Sequence, residues 1–225
     1  MTANANQSPF IVTIDGPAAS GKSSVSREVA KRSQWAWVST GAFYRGLAYI
    51  AHTLKTDTTN EADIVKLANS SNWSVEMTAD QTCVMMNGQD VTDQIGREEY
   101  GSLASKISSF PKVRAALLDA QRQCARGVSG LVAEGRDCGT VVFPNAQVKI
   151  FLTARAEDRA ARRALEQGQD LSELINEQQK RDAQDANRKA APLQAPQDAH
   201  VIDTTNLSFE DVVEEVMARV ASVRH

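Results

Sequence analysis

The chain has 225 residues, with 25 Lys and Arg against 28 Asp and Glu for a net charge of −3, 42% hydrophobic residues and 24% charged ones. A chain of this size buries a sizeable core, and the composition is that of an ordered globular protein. The slightly negative balance excludes a protein that coats nucleic acid or an anionic membrane, so any anionic small molecule must be met by a local cluster of positive charge.

The first eight residues, MTANANQS, have neither a basic start nor an apolar stretch and read as a flexible tail rather than a signal peptide. With no apolar run near the ~18 residues of a membrane span, a cytoplasmic protein is expected. Phe10 to Asp15 is a short apolar run that ends at a glycine, consistent with a buried parallel strand. The next residues spell Gly-x-x-x-x-Gly-Lys-Ser from Gly16 to Ser23, and a helical pattern follows from Ser23 to Ser33. Between a strand and a helix this motif is a phosphate cradle. The loop would span Gly16, Pro17, Ala18, Ala19, Ser20, Gly21, Lys22, Ser23 and Ser24, its glycines letting backbone N–H groups turn inward around the phosphates of a nucleoside triphosphate, at a helix N-terminus that favours anions. Lys22 would reach the outer phosphates, and the Ser23 hydroxyl would ligate Mg²⁺.

Trp35 to Val38 reads as a second strand and Ala42 to Leu54 as a helix, with Phe43, Leu47, Ile50 and Leu54 as its apolar positions. Strand alternating with helix implies a parallel sheet wrapped by helices. From Trp73 to Asp93 the pattern changes. WSVEM, TCVMMNG and QDVT are short strands separated by turn signals, Asn87-Gly88 among them, which places an antiparallel insertion at about 62–97. Glu98 to Ser108 and Lys112 to Arg126 read as helices split at Pro111, a residue suited to a first helical turn. LVAEG and VKIFLTA are two further core strands, and Ala156 to Asn187 is a charged helical stretch broken in two near EQGQD. HVIDT is the last strand, and Ser208 with Asp211 caps a final helix. The expected fold class is α/β: a single domain over 1–225 in three layers, with a central parallel five-stranded sheet wrapped by helices and a small antiparallel insertion. Cys83, Cys124 and Cys138 form no CxxC or Cys/His pattern and are expected to be reduced thiols.

The cradle identifies the donor of a phosphoryl group and leaves the acceptor open. The chain has no Asn-Lys-x-Asp for reading guanine, and GLVAEGRD ends in Glu134 and then Asp137 rather than in the clear metal-binding Asp of a motor ATPase. Its size suits a small-molecule kinase. Phosphorylation of a hydroxyl calls for a carboxylate to orient or deprotonate it, yet Val38-Ser39-Thr40-Gly41, after the second strand, holds none. An acceptor that is itself a phosphate needs no base, because its second pKa of about 6 leaves a nucleophilic oxygen at neutral pH. It needs arginines to bring two anionic groups together.

Four segments supply arginines. STGAFYR sets Thr40, Tyr44 and Arg45 at the start of a helix, where Tyr44 could equally be core. EGRDCGT brackets Arg136 and Asp137 between glycines, where they could equally form a loop ion pair. Arg181, Asp185 and Arg188 fall at i, i+4 and i+7 on one helical face, a spacing that also suits a self-paired surface ladder. Arg155, Arg159, Arg162 and Arg163 lie along one side of another helix, more arginines than a solvated face needs.

Together the segments TIDGPAASGKSS, STGAFYR, NGQDVT, FPKVR, EGRDCGTVVFP, RDAQDANRKAAPL and VIDTTNLS resemble the bacterial cytidylate kinases, in that order and over nearly the whole chain. The resemblance implies a P-loop nucleoside monophosphate kinase that moves the ATP γ-phosphate to CMP or dCMP, with Mg²⁺ as cofactor. It implies that Thr40, Tyr44 and Arg45 line the acceptor side, with Arg45 near the CMP phosphate, and that Ser105, Arg114 and Asp137 read the cytosine edge. Arg136 and Arg188 would meet the phosphate, while Arg181 and Asp185 would hold the ribose. Arg159 and Arg163 would belong to a short helical lid, about 155–188, closing over ATP, so that Lys22, Arg136, Arg188, Arg159 and Arg163 would act on the transferring group. The insertion would extend the monophosphate-binding region. The family usually has an Asp where this chain has Ser39, and a larger apolar residue where it has Cys138. Asp15, Glu134 and Asp137 are alternatives for the carboxylate nearest the metal. A monomer acting on small molecules is expected, with no nucleic-acid or membrane partner. The residues by themselves leave open a kinase for UMP, AMP or a sugar acid, or an ATP-binding regulatory protein.

Overall fold

The computed structural model of the chain describes residues 8–78, 81–167, 175, 182–186, 188 and 191–224. β1 (Phe10–Asp15) buries Val12 to Asp15 and leads through the glycine loop into α1 (Lys22–Ser33). That helix ends on Gln34 in the left-handed region at φ 56°, with the Trp35 N–H closing on Ala30 O at 2.9 Å. The closure takes Trp35 out of the strand expected at Trp35 to Val38, and β2 runs Ala36–Ser39 instead. α2 (Thr40–Thr53) begins where β2 ends, two residues ahead of the expected helix start.

α3 (Glu61–Ala68) was not anticipated from the sequence. The Asn60 side chain caps it by accepting the Ala62 N–H at 3.0 Å, and Ile64 and Leu67 are buried beneath it. An Asx cap, acids in the first turn and apolar residues three apart were the available signals. β3 (Trp73–Met77), β4 (Thr82–Met86) and β5 (Gln89–Asp90) form the expected antiparallel sheet, with Asn87 and Gly88 at positive φ making the two-residue turn between the last two strands. α4 (Thr92–Ile95), α5 (Glu98–Ile107) and α6 (Pro111–Gln123) follow, and Pro111 does open its helix.

β6 (Gly130–Gly135) is buried at all six positions, and a π-helical turn, Cys138–Val142, comes after it. β7 (Val148–Thr153) and α7 (Ala156–Gln167) come next, and most of the expected break at EQGQD lies outside the described residues. Most of the second helix expected up to Asn187 falls outside the described residues. β8 (His200–Asp203) precedes α8 (Phe209–Arg224). Ser208 and Asp211 cap α8 reciprocally, Asp211 N–H donating to Ser208 Oγ and Ser208 N–H to Asp211 Oδ2, both at 3.1 Å.

The main sheet has the order β2-β6-β1-β7-β8, all parallel. Val25 and Val29 of α1 and Val213 and Val216 of α8 cover one face, over Val12, Ile14 and Ile150. Leu47 and Ile50 of α2, Ile107 of α5 and Leu117 of α6 cover the other, over Val38 and Leu131. Three layers result. β1 lies between strands reached in opposite directions, and the crevice this leaves at the carboxyl ends of the strands is where open α/β sheets bind ligands. The three cysteines are free and buried. Among the described residues no helix is long and apolar enough to cross a membrane.

Trp35 stacks on Phe10 with ring centroids 5.1 Å apart and lies over Gly130, where a Cβ would stand 2.5 Å from the indole. Gly130→Ala therefore displaces the indole, and overpacking of this kind costs about 1–3 kcal/mol. Urea denaturation followed by tryptophan fluorescence should show a lower midpoint at unchanged slope; an unchanged midpoint would mean that Trp35 is not seated on Gly130.

Candidate active site

The loop between β1 and α1 is shaped by close approaches. A Cβ on Gly16 would stand 2.2 Å from Leu152 O, and Ala19 (φ 57°) and Gly21 (φ 83°) adopt left-handed conformations that bring the chain into α1. Lys22 Nζ donates to Pro17 O at 2.9 Å. Burial, helped by the Arg136 charge, lowers the Lys22 pKa to about 7 against the pull of Glu134, Asp185 and Asp15. Ser23 Oγ lies 2.9 Å from both carboxylate oxygens of Glu134, which makes Glu134 the carboxylate that meets the loop serine. Ser20 Oγ is buried and meets no hydrogen-bond partner among the described residues.

Facing the loop is a network of arginines and acids. Arg136 Nε donates to Asp185 Oδ2 at 2.7 Å, and Arg188 closes on the other oxygen of the same carboxylate. Arg114 pairs with Asp137, donates to Ser108 O at 3.3 Å, and sets its guanidinium 5.6 Å from the centroid of the Tyr44 ring. Burial raises Asp137 above the usual carboxylate range although Arg114, Arg188 and Arg136 pull it down. Burial likewise lowers the Arg188 pKa and pushes Tyr44 up to about 12. Arg45 Nη1 donates to Ile95 O at 3.2 Å, and a Cβ on Gly101 would stand 2.9 Å from Arg45 Nη2, so the glycine makes room for the guanidinium. Ser105 Oγ donates to Gln184 Oε1, and Thr40 Oγ1 donates to Glu134 O, each at 2.9 Å.

Asp15 holds the turn that presents Arg136 and Asp137. Its carboxylate accepts the N–H groups of Cys138 at 2.9 Å and Gly139 at 2.7 Å. The π-helical turn is thereby clamped to β1, immediately after the two residues it aims. Gly135 lets the turn approach α2, since a Cβ there would stand 2.2 Å from Thr40 Oγ1.

A single cleft of about 520 Å³ joins the two groups. Ala18, Ala19, Gly21, Lys22, Ser23 and Ser24 line it, together with Thr40, Tyr44, Arg45, Ser105, Arg114, Arg136, Asp137, Asp185 and Arg188. Gly16, Pro17 and Ser20 are buried outside that lining. Arg159 braces the loop, donating to Ala18 O at 3.1 Å and to Ala154 O at 3.0 Å while pairing with Asp182 at 2.7 Å. Arg155 and Arg162 do not line the cleft: Arg155 pairs with Asp158, and Arg162 donates to the hydroxyl and carbonyl of Thr204. Arg181 lies outside the described residues, as does the side chain of Arg163. The parts that Asp15, Asp182 and Gln184 play were not read from the sequence. In the sequence Asp15 and Glu134 are alternatives for the carboxylate nearest the metal, and their partners follow from the register of β1 with β6, Ile14 beside Glu134 and Asp15 beside Gly135.

Residues 12–222 match the family model described as cytidylate kinase. The chain is 56% identical over 211 residues to a cytidylate kinase of Bdellovibrio bacteriovorus, covering 94% of this chain and 97% of that one. It is 45% identical over 221 residues to a cytidylate kinase of Azotobacter vinelandii, covering 95% and 96%. Among solved structures, a gluconokinase from Sinorhizobium meliloti 1021 is similar with a TM-score of 0.50 at 14% identity, covering 96% of this chain and 94% of that one, a likeness of fold alone.

Burial raises the Asp15 pKa from 3.8 to about 6, against the two N–H groups that it accepts. A carboxyl raised in this way contributes stability that is complete below its unfolded value and is lost as pH rises through the folded one. Asp15→Asn has no such titration. Relative to the unsubstituted chain, its unfolding free energy should therefore rise by on the order of 2–3 kcal/mol between about pH 4 and pH 7. Urea denaturation of both chains across that range measures the difference, and a flat difference would refute the assignment.

Proposed function

The chain belongs to the cytidylate kinase family, ATP-dependent nucleoside monophosphate kinases, and we propose that its cleft transfers the γ-phosphoryl group of ATP to CMP or dCMP without a protein general base. The observation that carries this reading is the one cleft shared by the glycine loop and the arginine network. The acceptor phosphate attacks with an oxygen that is already charged at neutral pH. The bond from the γ-phosphorus to the β,γ-bridging oxygen breaks as the bond to the acceptor oxygen forms, giving ADP and CDP or dCDP, and no proton is asked of the protein.

The residues of the cleft then have to position two anions and offset their charge. Lys22 and the loop N–H groups take the ATP phosphates, and Arg45, Arg136 and Arg188 take the acceptor phosphate. Arg181 and Asp185 hold the ribose. Ser105, Arg114 and Asp137 read the base, where the exocyclic amine of cytosine can donate to the Asp137 carboxylate and the carbonyl of uracil would be repelled by it. Thr40 and Tyr44 shape the wall between α2 and the acceptor. Arg159 and Arg163 act from the lid over 155–188, whose closure keeps water from the γ-phosphate.

Mg²⁺ fits the loop. Ser23 and Glu134 offer hard oxygen donors side by side, and a cation that keeps several waters and is shared with phosphates needs only one or two protein oxygens. When bound it would neutralise charge on the phosphate oxygens, with Ser23 as ligand and Glu134 orienting Ser23. Both half-sites come from one chain, which supports action as a monomer, and a cytoplasmic location suits the substrates.

A coupled ADP-release assay with Mg-ATP and a panel of CMP, dCMP, UMP, AMP and a sugar acid is the direct test. CMP and dCMP should be the best acceptors, and a chain that uses neither of them would overturn the reading. Asp137→Ala should lower kcat/KM for CMP by on the order of 10²-fold or more, since a polar edge loses its matched partner, while the ATP dissociation constant from calorimetry changes little. Equal losses on both substrates would exclude a base-reading role.

A further inference from the structure

The antiparallel sheet of β3, β4 and β5 reaches the cleft through its own hydrogen bond. Thr82, the first residue of β4, is 5% exposed, and its Oγ1 accepts the Ser39 N–H at 2.9 Å. Ser39 is the residue on which β2 ends and α2 begins. Its own side chain makes no capping hydrogen bond. A side-chain cap would occupy N–H groups of the first turn, at the end of the helix where Thr40, Gly41 and Ala42 line the cleft. Thr82 holds the start of the helix by the N–H of the preceding residue, so those groups are not taken. On the opposite flank the Thr40 hydroxyl pins the same turn to Glu134 O.

A second contact joins the insertion to α2 two turns on. A Cβ at Gly46 would stand 2.8 Å from Val84 Cγ1 and 3.4 Å from the Trp73 ring. The missing side chain lets β4 lie directly on the helix, where Val84 is fully buried. Thr82 and Gly46 thus bracket the stretch of α2 that carries Tyr44 and Arg45.

We infer that Thr82 is a positioning residue for the acceptor: from the insertion it fixes the start of α2, and with it Tyr44 and Arg45, while leaving the first-turn N–H groups to an incoming phosphate. The inference rests on the proposal that the acceptor phosphate lies between α2 and the arginines of the cleft.

Thr82→Val keeps the shape of the side chain and removes the acceptor. It should raise KM for CMP about three- to tenfold, the scale of one lost hydrogen bond, with KM for ATP within about twofold, and Thr82→Ser should restore the original KM. Gly46→Ala, which pushes Val84 off α2 without touching Thr82, should give the same one-sided change and serves if Thr82→Val folds poorly. Amide hydrogen exchange without nucleotide is the readout that does not depend on substrate identity: in Thr82→Val, the Ser39 N–H, which loses its acceptor, should exchange faster while the body of α2 keeps its protection. If the chain prefers an acceptor other than CMP, the reading of the substrate fails, and the KM split on that acceptor with the exchange pattern still decides the role of Thr82. Equal rises in both KM values, a lower melting temperature with unchanged KM, or unchanged exchange of the Ser39 N–H would each overturn it.

Discussion

The glycine loop and the arginine network meet on four consecutive residues at the end of β6. Glu134 gives its carboxylate to Ser23 of the glycine loop and its carbonyl to Thr40 at the head of α2. Gly135 admits the contact with Thr40, Arg136 reaches Asp185, and Asp137 pairs with Arg114 of α6. The parallel register of β1 with β6 makes this possible, because it sets Asp15 beside Gly135, from where its carboxylate reaches the N–H groups of Cys138 and Gly139. A one-residue slip would turn every side chain of the strand to the opposite face, and Glu134 would leave Ser23. The site is therefore as well defined as the pairing of the two most buried strands, and its accuracy is inherited from the core.

The charges gathered there are poorly hydrated. Burial is the leading cause of the shift at Lys22, Asp15, Asp137 and Arg188 alike; neighbours of opposite sign draw Lys22, Asp137 and Arg188 back toward their charged forms, and the N–H groups of Gly139 and Cys138 do so for Asp15. The carboxylates that neutralise the arginines are also the groups that keep them in place. Arg136 and Arg188 share Asp185, and Arg114 lies on Asp137. A guanidinium already desolvated and oriented can pass an N–H from a carboxylate oxygen to a phosphate oxygen with little reorganisation, since both anions suit the same planar fork. Arginines free in solvent would have to be stripped of water and fixed at the moment of binding. The acids in the cleft are thus compatible with a site built for anions.

What could be read from the sequence is what short-range rules decide. The glycine loop, the Asn87-Gly88 turn, Pro111 at a helix start and the Ser208–Asp211 cap each depend on a few adjacent residues, and each is found where its spacing puts it. Trp35 shows the limit: it looks like the first residue of an apolar strand, but its N–H is taken by the closing turn of α1 and its ring by Phe10. Arg159 and Arg162, three residues apart on α7, look equivalent in the sequence. One reaches Ala18 in the glycine loop and the other Thr204 after β8, a difference set by what lies across from each. The pairing of Asp15 with the π-helical turn and of Thr82 with Ser39 is likewise invisible locally, because strand register and the seat of the insertion create it.

Ser39, where the family usually has an Asp, gains meaning from the same register. β2 pairs with β6 so that Ser39 stands beside Glu134, and both line the cleft. A carboxylate at 39 would sit next to Glu134, and like charges on neighbouring strands at one position oppose each other. With serine there, Glu134 meets the loop hydroxyl with both oxygens and without that repulsion. The serine side chain leaves α2 uncapped, and the N–H of the residue is held from β4. An aspartate at this point would set a negative charge at the helix N-terminus, the end whose partial positive charge attracts anions. The acidic group that serves the glycine loop comes from β6, and α2 begins without a charge to oppose the phosphate proposed to bind against it.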